Sequence, residues 1–142
     1  MSAPNDTPFS AEFRDEIVAA REDIDELGHV SNVVYVRWIQ DVAKAHSASV
    51  GWDHDRYRAF GAVFVVHKHV VEYRAPAFEG DRVARVTWVQ SFSGASSDRR
   101  TRIVRVTDGK ELVRASTSWA FVGLESGRPR RIPAEIASAF AR

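Results

Sequence analysis

Apolar residues recur at steps of three and four between residues 31 and 51: Tyr35, Trp38, Val42, Ala45 and Ser49 form one line, with Ile39 and His46 beside it. That spacing is the period of a helix with one buried face. Ser31 or Asn32 suits its N-terminal cap, and Gly51 suits its end. Elsewhere the pattern changes. Residues 62–73, AVFVVHKHVVEY, are β-branched and aromatic and read as a long strand. Residues 82–92 set Ala84, Val86, Trp88 and Phe92 against Arg85, Thr87 and Ser91. Turn residues at 75–81 and 93–98 bound that strand, residues 99–107 form another, and Asp108-Gly109 marks a hairpin turn. Residues 111–122 then return, with Val113, Ala115, Thr117, Trp119 and Phe121 on one face and Leu112, Arg114, Ser116 and Ser118 on the other. An apolar patch at 17–21 reads as a first strand, residues 52–61 as a polar loop, and the chain from Ala134 as a short terminal helix.

This order, one strand, one long helix and a meander of four strands, predicts an α+β domain in which a curved antiparallel β-sheet wraps a long central helix. At 142 residues the chain has the size of a single domain, 1–142, with residues 1–8 as a loose tail. One sheet on one helix leaves edges and an outer face to cover, so a homodimer or a dimer of dimers is expected.

Composition narrows the function classes. With 44% apolar and 27% charged residues the chain folds, and its net charge of +1 argues against a dedicated nucleic-acid binder. The absence of cysteine excludes disulfides, thiolate metal sites and a cysteine nucleophile. The first sixteen residues lack the apolar core of a secretory signal, and no run approaches the ~20 apolar residues of a membrane span. A cytoplasmic location and no membrane partner are the expectation.

Candidate chemistry concentrates at residues 22–32, EDIDELGHVSN, where four of the first five residues are carboxylates. The loop delivers these acids to a helix N-terminus, whose unsatisfied N–H groups stabilise an anion or a developing oxyanion. An acid beside such a cluster is half of a hydrolase: the N–H groups polarise a carbonyl, and the acid attacks it or activates a water. The alternative is that Asp23, Asp25 and Glu26 only complement the helix dipole.

The run from Asp23 through Gly28-His29-Val30-Ser31-Asn32, followed by Tyr35-Val36-Arg37-Trp38, closely resembles the D-x-D-x-x-G-H-V-N-N-x-x-Y-x-R-W/F pattern of hotdog-fold acyl-CoA thioesterases of the 4-hydroxybenzoyl-CoA thioesterase-like superfamily. The resemblance implies that Asp25 is the catalytic carboxylate, as nucleophile or general base. It implies that the backbone N–H near Asn32 is the oxyanion donor, that His29 positions water or the acid, and that Gly28 permits the turn between them. Val30, Ser31 and Tyr35 would border the substrate. In a hotdog dimer the acyl pocket lies between one subunit's helix start and its partner's strand, which adds Val63, Phe64 and His67. Such a site suits a thiolate leaving group, which departs without a strong general acid because the parent thiol has a pKa of about 8.5. No cofactor is implied, coenzyme A being part of the substrate.

Ser31 stands where that pattern has Asn, and Gln40 where it often has Glu. These departures leave two other readings: a hotdog-fold enoyl-CoA hydratase or dehydratase using Asp25 and His29, and a non-catalytic acyl-thioester-binding protein. Of the arginines, Arg99, Arg100 and Arg131 are candidates for the phosphates of coenzyme A, through forked donors on a solvated face. His67 and His69 share a strand, but two imidazoles without a third ligand make no zinc site, and no metal is expected.

Overall fold

A computed structural model of the protein describes residues 7–141; of the tail expected at 1–8, residues 1–6 lie outside the described residues. The elements run β1 (Phe13–Val18), a 3-10 turn (Arg21–Asp23), α1 (Asn32–Ser49), α2 (His54–Phe60), β2 (Ala62–Tyr73), β3 (Arg82–Ser93), β4 (Ser96–Arg105), β5 (Glu111–Gly123) and α3 (Ala134–Phe140). All five strands form one antiparallel sheet in the order β1-β3-β4-β5-β2. The four long strands are therefore not a simple meander. β3, β4 and β5 are joined by hairpins, whereas β2 sits beyond β5 as an edge strand.

The sheet buries the face of α1 that the period had marked. Tyr35, Trp38, Ile39 and Val42 are all 3% exposed or less, and the first three pack with Val83, Ile103 and Val113. The stripe leans toward Val34, Ala43 and Ser47 rather than Ala45 and Ser49, the last of which is exposed. Ser31 caps the helix, its Oγ accepting from the Val33 N–H at 3.3 Å.

Four local expectations fail. On β3 the face turned to the helix is Val83, Arg85, Thr87 and Val89, and not the Ala84/Val86/Trp88 set. Cross-strand pairing puts Arg85 beside Ile103 and Thr87 beside Thr101 on that inner face. The two polar residues are tolerated because they are paired: Arg85 makes a forked bond to Asp15 at 2.8 and 2.7 Å, and Thr87 Oγ1 donates to the Arg100 carbonyl. Leu112, read as outward, lies at the register shift where Ile103 faces Val113 but Val104 faces Glu111, and it is fully buried in the core. Residues 52–61 are not a loop but carry α2, capped by Asp53 Oδ1 at 2.9 Å from the Arg56 N–H and ended by Gly61 at φ 94°. The hairpin between β3 and β4 is likewise tighter than the turn signals suggested, with β4 starting at Ser96. No helix among the described residues is long and apolar enough to cross a membrane.

Leu112→Ala should lower unfolding free energy by about 2–5 kcal/mol in a denaturant titration. Leu124→Ala, at a residue 49% exposed, should change it by less than about 0.5 kcal/mol.

Candidate active site

Between β1 and α1 the acidic loop folds back on itself. Ile24 and Val30 form an isolated bridge, and the Asp25 N–H donates to the His29 carbonyl at 2.9 Å. Gly28 closes the turn at φ 87°, a conformation that other residues adopt only with strain, and donates to the Asp25 carbonyl. The Val30 N–H is fixed to the Ala77 carbonyl at 2.8 Å, which docks the loop on the segment before β3.

The two aspartates of this loop have different fates. Asp23 is 6% exposed: its Oδ2 accepts from the Ala20 N–H at 2.9 Å and its Oδ1 from Arg37 Nη2 at 2.9 Å. It is a structural anchor. Asp25 has a side chain 30% exposed, and among the described residues its one short side-chain contact is the Leu27 N–H on Oδ1 at 2.9 Å. His29 Nδ1 stands 3.8 Å from that same oxygen, too far for a hydrogen bond. The N–H of Asn32, the first residue of α1, donates to no described group, while its carbonyl accepts from the Tyr73 hydroxyl at 3.4 Å. The loop therefore offers a carboxylate with free lone pairs, an imidazole beside it and an open N–H at a helix start.

Other candidates fall elsewhere. Tyr35 is 3% exposed and its hydroxyl accepts from the Ala77 N–H at 3.1 Å; burial pushes its pKa up, and it serves the core rather than a substrate. Val30 is 1% exposed and also in the core. Ser31 Oγ is taken by its capping bond. Val63 and Phe64 lie toward the other end of α1, and His67 is exposed at a register shift in β2. That shift interrupts the alternation that would set His67 and His69 on one face; His69 Nδ1 pairs with Thr117 Oγ1 at 2.8 Å. Among the described residues no three His, Asp or Glu side chains converge as a metal site. Arg100 pairs with Asp98 and Arg131 is exposed, whereas Arg99 departs from the expected solvated face: it is 5% exposed and turned inward.

Arg99 marks a cavity of about 350 Å³ between the last turns of α1, α2, α3 and the sheet. Its walls include Trp52, Val63, Phe64, Phe92, Trp119 and Phe140. Arg99 Nη1 donates to His46 Nδ1 at 2.9 Å and to Thr87 Oγ1 at 3.2 Å. Burial, reinforced by the neighbouring Arg99 charge, pulls the His46 pKa down to about 4, so the ring is neutral and accepts at Nδ1. Burial lowers Arg99 itself to about 10, which leaves it charged at neutral pH. Opposite, Tyr57 and Ser47 hydroxyls lie 2.8 Å apart, with Ser47 Oγ donating to the Trp52 carbonyl. The sequence held one signal for this chamber: Arg99, Thr117 and Trp119 carry the parity of core positions Ile103, Val113 and Ala115.

A family profile described as "Thioesterase-like superfamily" matches residues 19–140. The fold is similar to that of a 1,4-dihydroxy-2-naphthoyl-CoA thioesterase from Synechocystis, at 18% identity and TM-score 0.84 over 92% of this chain and 96% of that one. A hypothetical protein from Thermus thermophilus is similar at 25% identity and TM-score 0.82, over 89% and 95% of the two chains. So is a 4-hydroxybenzoyl-CoA thioesterase variant crystallised with 4-hydroxybenzoyl-CoA, at 18% identity and TM-score 0.83 over 92% and 99%. These likenesses establish the hotdog fold. No curated protein matches the chain in sequence.

His46 gives the chamber a pH signature. Its pKa in the fold, about 4, lies below the ordinary 6.5, so the folded chain binds fewer protons than the unfolded one between those values. The stability this contributes is complete above about pH 6.5 and is lost as the pH falls toward 4. Thermal melts should show Tm dropping from pH 7 to pH 5, with a shallower drop in His46→Gln.

Proposed function

The chain belongs to the thioesterase-like superfamily and is a thioester hydrolase, and from that premise we propose that it cleaves an acyl-CoA to the free acid and coenzyme A with Asp25 as its catalytic carboxylate. The observation that carries the assignment is the contrast within one loop: Asp23 is consumed by Ala20 and Arg37, while Asp25 keeps free lone pairs in the loop that leads into α1.

The chemistry follows from that arrangement. The thioester carbonyl oxygen accepts from the free N–H at the start of α1, where the helix dipole favours the negative charge that develops as the carbonyl is attacked. Asp25 either adds to the carbonyl carbon, giving an anhydride that water then opens, or takes a proton from the water that adds. In both routes the C–S bond breaks, the thiolate leaves with the electron pair, and the acid is released. His29, 3.8 Å from Asp25, is suited to orient the water.

A second copy of the chain would complete this site. β2 is an edge strand of 12 residues with Val65, Val70 and Tyr73 each more than 40% exposed, a surface that pairing with another β2 would cover. Tyr73, at the end of β2, touches Asn32. Two such strands paired antiparallel would bring the start of the second β2, with its Val63, Phe64 and His67, to this protomer's Asp25. The exposed Leu27 and Val33 beside the loop would be covered by the same contact.

Asp25→Asn should lower kcat/KM for thiol release from acyl-CoAs by roughly 100-fold or more, whereas Glu22→Gln, at an exposed position, should stay within about twofold. Unchanged turnover in Asp25→Asn would remove the assignment. Conversion of crotonyl-CoA at its double bond without thiol release would favour the hydratase reading, which the Asp25/His29 proximity also suits.

A further inference from the structure

Arg99 is a cation held inside the protein with no counter-charge among the described residues. A guanidinium carries five N–H donors, and two are used, by His46 and Thr87; the remaining three find no acceptor among the described residues, and no carboxylate pairs with it. Taking such a group out of water costs several kcal/mol unless something nearby answers its charge. Some compensation exists. His46 belongs to the last turn of α1, where the helix dipole is negative, and the Phe140 ring stands 5.7 Å from the guanidinium carbon. Neither accepts a hydrogen bond from Nε or Nη2.

The surroundings specify what would. Arg99 lines the 350 Å³ cavity, whose other walls are mainly aromatic and aliphatic: Trp52, Val63, Phe64, Val89, Phe92 and Phe140. At the edge of the same cavity stand Lys44 and His54, both exposed, and among its lining residues there is no Asp or Glu. The chamber thus offers an apolar body, a positively charged interior end and no competing anion. A neutral apolar guest would leave the three donors empty; a purely ionic guest would waste the aromatic walls. Volume and polarity together match an organic molecule with one anionic end.

We propose that this cavity binds an apolar molecule ending in a carboxylate, and that the Arg99 guanidinium takes that carboxylate through its free Nε and Nη2 donors. Within one protomer the site is distinct from Asp25, since Ala43, the first α1 residue to line the cavity, lies eleven positions beyond Asn32, about 16 Å along the axis. Two sources share this chemistry: a free carboxylic acid, and an acyl-CoA whose acyl chain carries a second, terminal carboxylate and enters from a paired subunit. The second source rests on the thioesterase proposal; the first does not.

The test reads binding separately from turnover. Trp52 and Trp119 line the cavity, so tryptophan fluorescence of the full chain reports occupancy directly. Titration with 3-phenylpropionate should saturate, and 3-phenylpropanamide, equal in shape but neutral, should bind roughly tenfold more weakly or worse. Arg99→Met should remove that preference, and Arg99→Lys should keep part of it. Equal binding of acid and amide by the wild type, or binding of neither up to about 5 mM, would overturn the proposal and leave a water-filled chamber around a structural arginine. A second arm compares hydrolysis of octanedioyl-CoA and octanoyl-CoA. A kcat/KM ratio of roughly ten or more, falling toward one in Arg99→Met, identifies the acyl-CoA as the source. A ratio near one with acid binding intact identifies the free acid. If no acyl-CoA is cleaved at all, the thioesterase proposal fails while the fluorescence titration still decides this one.

Discussion

Helix α1 has no way to hide Tyr35, Trp38, Ile39 and Val42 except inside the concave face of the sheet, and the rest of the structure is arranged around that contact. Each such side chain contributes about 1.5–3 kcal/mol when fully withdrawn from water. The helix is 18 residues, about 27 Å, long. The inner face of its middle is sealed by the sheet, so a ligand can meet that face only toward one of the two ends. At the N-terminus the acidic loop is tied down by Asp23 and Val30. At the C-terminus, Gly51 turns the chain into α2, which with α3 roofs the second end of the sheet.

The two ends are electrostatic opposites, and the side chains gathered at each follow the dipole. The start of α1 carries partial positive charge and follows the acidic loop that holds Asp25; the last turn carries partial negative charge and meets Arg99 through His46. The same field that would steady a developing oxyanion at one end helps make a buried guanidinium tolerable at the other. A neutral His46 is what joins Arg99 to the helix. A protonated ring would lose its acceptor and set a second positive charge against the first, which is why acid weakens this end of the molecule.

Much of this was legible in the sequence where a residue type and its environment agree. The α1 stripe, the span of β2 and the Asp108-Gly109 hairpin follow from period and turn chemistry alone. The face of β3 was not legible, because binary patterning treats Arg85 and Thr87 as outward; only their partners, Asp15 across the β1 pairing and Arg99 and Thr101 across the β4 pairing, make the inner position acceptable. Arg99 misled for the same reason. In a run of four arginines within seven residues the solvated face is the default reading, and its parity with Ile103 carries no weight until β5 is seen beside it. α2 was hidden by its polarity. Of its residues only Tyr57 is buried, and seven residues leave no room for a period to declare itself.

The Asp-x-Asp pair shows how resemblance and geometry divide one motif between them. In sequence the two acids are equivalent neighbours, and nothing in their spacing separates an anchor from a reagent. In the fold Arg37, the arginine of the same motif, reaches back to Asp23, and Tyr35 holds the Ala77 N–H while Trp38 fills the core. Each of these motif residues therefore has a structural role that would preserve the loop whether or not the protein were an enzyme. Asp25 has no comparable role, because its one side-chain hydrogen bond shapes a surface turn that Asn would shape as well. On the proposed reading, a carboxylate at that position would do what an amide could not: donate an electron pair to an electrophile or accept a proton from water.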